Sequence, residues 1–95
     1  MLSDKEKASL ANRLHRLAGQ VSGVERMMEE NASCVEILIQ IAAASGALNK
    51  VGHLILENHI KSCVSEAMRS GSNKLRDQKL DEIIQLFRKY TRVVD

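Results

Sequence analysis

Apolar side chains recur along this chain at steps of three and four residues, the spacing of helices that bury one face. Leu10, Leu14, Leu17, Val21, Val24 and Met28 form one such stripe. It predicts a first helix reaching about residue 29, capped by Ser3 or Asp4 with Glu6 near its first turn. Gly19 and Gly23 lie inside it and each costs roughly 1 kcal/mol against alanine, which a helix of this length tolerates. Asn31-Ala32-Ser33 interrupts the pattern, and Ser33 stands where it can cap the next helix. That second helix is expected from about 34 to 69. Along it Cys34, Leu38, Ile41, Ser45, Leu48, Gly52, Ile55 and His59 alternate steps of four and three, a heptad-like seam for helix–helix packing. Gly71, within Ser70-Gly71-Ser72-Asn73, ends it. A third helix is expected over about Asp77 to Tyr90, with Leu80, Ile83, Ile84 and Phe87 inward. The reading is all-α: three helices in a single domain, residues 1–95.

Composition supports helix. Proline is absent, there is one Phe, one Tyr and no Trp, and strong helix formers dominate. Ninety-five residues build only a marginal core, and oligomerisation is a common remedy. The N-terminus MLSDKEKASL lacks the apolar centre of a signal peptide, and no uninterrupted apolar run approaches the ~18 residues of a membrane span. A cytoplasmic protein without a membrane partner is the expectation. In that reducing compartment two cysteines read as ligands or reactive thiols rather than a structural disulfide.

The chemistry concentrates in Cys34, His59 and Cys63. His59 and Cys63 are four apart and share a helix face. Cys34 precedes Cys63 by twenty-nine positions, roughly 43 Å along one unbroken helix at ~1.5 Å per residue. One chain therefore does not close a site. Two antiparallel copies would, with Cys34 of one chain meeting His59 and Cys63 of the other. Their crossing falls near residues 46 to 49, Gly46-Ala47-Leu48-Asn49, just after Ala42-Ala43-Ala44-Ser45. Small residues thus lie where two backbones approach. Two thiolates and an imidazole suit Cu(I) or Zn(II), and three ligands without a fourth favour trigonal Cu(I). Cys34 also falls in the first turn of its helix, where the dipole favours a thiolate. The plainer alternative makes the cysteines small buried hydrophobes and His59 a hydrogen-bonded interface residue.

Net charge is only +2, so nucleic-acid binding must come from clustering. Arg13, Arg16 and Gln20 share one face of the first helix, and Lys50 and His53 form a smaller polar cluster on the second. A symmetric oligomer would repeat these clusters along a duplex. A solvated helix face is the competing reading. No acid–base pair or cleft-forming topology points to an enzyme or a small-molecule substrate.

Three segments carry a family resemblance. Arg13-Leu14-His15-Arg16-Leu17-Ala18-Gly19-Gln20-Val21-Ser22-Gly23-Val24 resembles the RLxRIxGQVxGI stretch of the copper-sensitive operon repressor family. Cys34-Val35-Glu36-Ile37-Leu38-Ile39-Gln40-Ile41-Ala42-Ala43 resembles its CVxILxQIxA segment, and Glu57-Asn58-His59-Ile60-Lys61-Ser62-Cys63 its xNHxxxC segment. The resemblance runs from about residue 5 to residue 88. It implies an antiparallel four-helix-bundle dimer assembling to a homotetramer, and a repressor whose operator complex is weakened by an inducer. The Cys34–His59–Cys63 pattern is similar to that of the Cu(I) sensors, one Cu(I) per protomer at the dimer interface. Nickel and cobalt sensors of the family replace the last Cys with His and add an N-terminal His, formaldehyde sensors lack the last Cys, and persulfide sensors lack the His. The chain departs from the copper pattern at Ser33, where copper sensors often carry a Tyr that acts with a Glu of the third helix. Glu82 matches that Glu. The resemblance thus implies a Cu(I)-responsive repressor of copper-handling genes. Cys34, His59 and Cys63 would be its ligands, Glu82 and Ser33 would stand behind them, and Arg13, Arg16, Gln20, Lys50 and His53 would face operator DNA. The alternatives are a persulfide- or thiol-responsive repressor acting through Cys34 and Cys63, another metal sensor of the family, and a metal chaperone or store that binds no DNA.

Overall fold

The computed structural model describes residues 2–71 and 73–94, which form three α-helices and, among the described residues, no strand. They are α1 (Asp4–Glu29), α2 (Cys34–Ser70) and α3 (Asn73–Val94).

Each boundary has a local cause. Ser3 caps α1 through a reciprocal pair: the Glu6 N–H donates to Ser3 Oγ at 3.1 Å and the Ser3 N–H donates to Glu6 Oε1 at 3.0 Å. Asp4 and Glu6 in the first turn and Arg26 in the last match the helix dipole. Asn31 ends α1 in the left-handed region at φ 60°. The Asn31 N–H reaches the Met28 carbonyl at 3.2 Å and the Ala32 N–H the Met27 carbonyl at 2.9 Å, the paired bonds of a Schellman stop. Two residues later Ser33 restarts the chain as a helix. Its Oγ accepts the Glu36 N–H at 3.2 Å and its carbonyl the Ile37 N–H at 3.1 Å. Gly71, at φ 67°, closes α2 in a conformation that a Cβ would strain.

The third helix departs from the sequence expectation at both ends. It begins at Asn73 rather than Asp77, because Lys74, Leu75 and Arg76 are good helix formers with no breaker among them. It passes Tyr90 to reach Val94, with neither Gly nor Pro to stop it. Its inner face also differs. Lys79, Ile83 and Tyr90 are half-buried, while Leu80, Ile84 and Phe87 are exposed. Ile83 is thus the one expected inward residue that is partly covered.

Contacts divide the chain into two compact units, Ser3–His53 and Leu54–Asp95 together with Met1–Leu2. In the first, Leu10, Leu17 and Val51 are buried; in the second, Leu56, Cys63 and Ala67. The α2 seam is not covered by its own chain: Leu38 is 62% exposed, Ile41 46% and Leu48 53%. On α1, Leu14, Val21 and Met28, seven residues apart, are exposed as well. From Cys34 to Arg69, α2 is long and apolar enough, by length and composition, to cross a membrane. This differs from the expectation read from uninterrupted runs. Gln40, Ser45, Asn49 and Lys50 break the run, but Ile, Leu, Val and Ala between them hold the average high.

Candidate metal centre and basic face

In the unit built from the C-terminal half of α2 and α3, the four-residue spacing places His59 and Cys63 on one face, as expected. His59 Nε2 stands 3.5 Å from Cys63 Sγ. Cys63 is buried at 5% exposure and His59 is exposed, so the pair sits at the wall of the core rather than within it. Both line a cavity of about 390 Å³ whose far side is formed by Lys79 and Glu82 of α3. Asn58, Ser62 and Glu66 complete its polar lining from α2. Glu82 thus lines the same cavity as His59.

Sequence reasoning missed two residues here. Lys79 Nζ lies 3.4 Å from Glu66 Oε2, across the two helices, and 3.9 Å from Glu82 Oε2 on its own helix. Glu66, by hydrogen bond and charge, and then Glu82 by charge, hold the Lys79 ammonium above the ordinary lysine range. The Lys79–Glu82 spacing of three was legible as a helical pair. The Glu66 contact was not, because it depends on how α3 is rotated against α2. The other ion pair on α2, Lys61 Nζ to Glu57 Oε1 at 3.3 Å, lies on the open surface and contributes little.

The third candidate ligand, Cys34, lies in the other unit. Cys34 is exposed at the first residue of α2 with a free thiol. The hydroxyl of Ser33 beside it is committed to the helix cap. Among the described residues no three His, Cys, Asp or Glu side chains come together as a metal cage.

The unit Ser3–His53 carries the basic face. Arg13, Arg16 and Gln20, with Leu17 and Ala47, line a hollow of about 230 Å³ where α1 meets α2. Arg16 and Gln20 are exposed and Arg13 half-buried. Lys50 and His53 are both exposed one turn apart on α2, but neither lines this hollow. The five positions expected to meet DNA thus fall into a cluster of three and a pair.

A family model described as metal-sensitive transcriptional repressor matches residues 6–89. The chain is 40% identical over 90 residues to the copper-sensing transcriptional repressor CsoR of Bacillus subtilis, covering 95% of this chain and 86% of that one. It is 40% identical over 67 residues to the copper-sensing transcriptional repressor RicR of Mycobacterium tuberculosis, covering 70% of each. Among solved structures it is similar to the copper-sensing repressor CsoR with Cu(I) from Geobacillus thermodenitrificans. The TM-score is 0.72 at 39% identity, over 92% of this chain and 91% of that one. It is also similar to the nickel-responsive transcriptional regulator InrS, with a TM-score of 0.76 at 38% identity over 92% and 98% of the two chains.

Proposed function

The chain belongs to the metal-sensitive transcriptional repressor family, and from that premise we propose that it is a cytoplasmic, homotetrameric repressor released from operator DNA by Cu(I). Its role is regulatory rather than enzymatic. The observation that carries the copper reading is the buried Cys63 thiol with the His59 imidazole 3.5 Å away. A thiolate and an imidazole are soft and borderline donors, so this pair fits Cu(I) better than a hard cation. Cys34, exposed at the start of α2, supplies the third ligand from the partner protomer. InrS is nickel-responsive, yet position 63 here is Cys, and Leu2, Ser3 and Asp4 offer no N-terminal His.

The assembly follows from uncovered surface. Leu38, Ile41, Leu48 and Ile55 on α2, and Leu14, Val21 and Met28 on α1, are exposed within one chain. A chain of this length gains by burying such a face against a second copy. Gly46 points the same way. Its own chain leaves room for a Cβ there, and the antiparallel crossing proposed near residues 46 to 49 would use the missing side chain for close backbone approach. Two such dimers pair as the tetramer, each protomer acting as one functional domain. Leu48→Asp is then expected to dissociate the dimer at micromolar concentration while each chain stays helical. A carboxylate buried near its symmetry mate costs several kcal/mol. Sedimentation velocity with far-ultraviolet circular dichroism checks this, and an unchanged oligomer would remove the seam from the interface.

His59 and Cys63, with Cys34 of the partner protomer, would hold Cu(I), and a metal bond to one imidazole nitrogen would make the opposite N–H a stronger donor. Glu82 on α3, whose carboxylate lines the same cavity, would be its acceptor. Release from DNA requires only that the metal-bound arrangement favour the form with weaker operator affinity. Arg13, Arg16 and Gln20, with Lys50 and His53, hold the phosphates, and the genes released handle copper.

Anaerobic titration of reduced protein with Cu(I), following operator binding by fluorescence anisotropy, tests the reading. Release complete at one Cu(I) per protomer is expected. A persulfide donor run in parallel addresses the thiol reading, which the exposed Cys34 thiol favours. Release by that donor alone, with Cys34 crosslinked to Cys63 between subunits, would replace copper as the inducer.

A further inference from the structure

Lys79 has no part in the proposed ligand set, yet it lines the same cavity as His59 and Cys63. It is the less exposed member of its ion pairs, its side chain 27% exposed against 59% for Glu66 and 64% for Glu82. Its contact to Glu66 ties α3 to α2, and its contact to Glu82 runs one turn along α3. Glu66 is the nearer carboxylate, at 3.4 Å against 3.9 Å. Lys79 is thus shared unequally, drawn to α2 but within reach of Glu82, the carboxylate that the copper reading assigns to His59.

We infer that Lys79 is a positioning residue that competes with His59 for the Glu82 carboxylate, with Glu66 as the counterweight that draws Lys79 away. The inference rests on the copper reading above and deepens it. A carboxylate neutralised by an ammonium is a poorer acceptor for an imidazole N–H, because both donors seek the same lone pairs. The share of Lys79 held by Glu66 therefore sets how strongly occupancy at His59 is transmitted to α3. Two substitutions should act with opposite sign. Lys79→Met frees Glu82 and strengthens transmission. Glu66→Gln leaves Lys79 to Glu82 alone and weakens it. A purely structural tether predicts the same sign for both, since each breaks the same contact between α2 and α3.

The experiment measures operator affinity with and without one equivalent of Cu(I) per protomer, in the unmodified tetramer and in each variant. The ratio of the two affinities is the readout. In Lys79→Met the ratio should rise about threefold to fivefold, the scale of a partly exposed ion pair, with the metal-free affinity and Cu(I) stoichiometry unchanged. In Glu66→Gln it should fall by a similar factor, and Lys79→Arg should match the unmodified protein. In a Glu82→Gln background Lys79→Met should change nothing. Equal signs for Lys79→Met and Glu66→Gln, or an effect of Lys79→Met that persists without the Glu82 carboxylate, would overturn the inference alone. No release of the unmodified protein by Cu(I) would overturn the copper reading and this inference with it.

Discussion

His59→Ala is expected to keep binding Cu(I) and yet stay on its operator. The two cysteines provide the strongest bonds to a soft ion, and Cu(I) accepts two-coordination by thiolates. Removal of the imidazole therefore lowers affinity without emptying the site. What it removes outright is the imidazole that lines the same cavity as Glu82 of α3 and that we propose couples the two. The coupling free energy between metal and operator, on the order of 1–3 kcal/mol in such systems, should fall to nearly zero, so a 5–150-fold effect of copper on operator affinity disappears. Cys63→Ala behaves differently. It takes away a proposed ligand that is also buried in the core, so both copper affinity and stability are expected to decline. Anisotropy titrations at fixed Cu(I), with competition against a chromophoric Cu(I) chelator, separate the two cases. Loss of copper binding in His59→Ala together with loss of release would make His59 a ligand only. Retained release would move the signal to the thiols.

That difference between residues also marks what could be read from the chain. The stop and start signals of α1 and α2 are local: Ser3 with Glu6, Asn31 at positive φ, the Ser33 hydroxyl and Gly71 each act within a few residues. They are legible because the hydrogen bonds they make do not depend on the rest of the fold. The His59–Cys63 pair is legible for the same reason, being one helical turn. The rotation of α3 is not. Leu80, Ile83, Ile84 and Phe87 look like an inner face in isolation, yet of these only Ile83 is partly covered, on a face it shares with Lys79 and Tyr90. An ion pair between helices follows from packing, which periodicity cannot fix when two neighbouring faces are comparably apolar. The α2 seam presents the converse case. Its pattern is plain in sequence, yet Leu38, Ile41 and Leu48 lie open on the single chain, the surface that the proposed second copy would cover.

Double reversal of Arg13 and Arg16 to Glu is expected to abolish operator binding while leaving fold and Cu(I) binding intact. Arg16 is exposed and Arg13 half-buried beside Leu17 and Ala47, so the helix loses some aliphatic packing but no buried charge partner. The electrostatic effect is large because the protomer carries only +2: each reversal removes two units, so two take it to −2. An assembly that approached DNA with a weak positive excess would then be repelled by it. Each arginine that neutralises a phosphate contributes roughly 0.9 to the slope of log affinity against log salt, and the proposed tetramer would repeat both positions in every protomer. Loss of the set should lower affinity by a factor of about a thousand or more at moderate salt and flatten the slope of whatever binding remains. Lys50→Glu alone should produce a smaller version of both changes, since Lys50 lies outside the hollow that the arginines line. Anisotropy at several salt concentrations, with circular dichroism to follow the helices and chelator competition to follow Cu(I), checks all three. If affinity fell while the salt slope stayed unchanged, the arginines would act through the packing of α1 on α2, and the phosphate contacts would lie elsewhere.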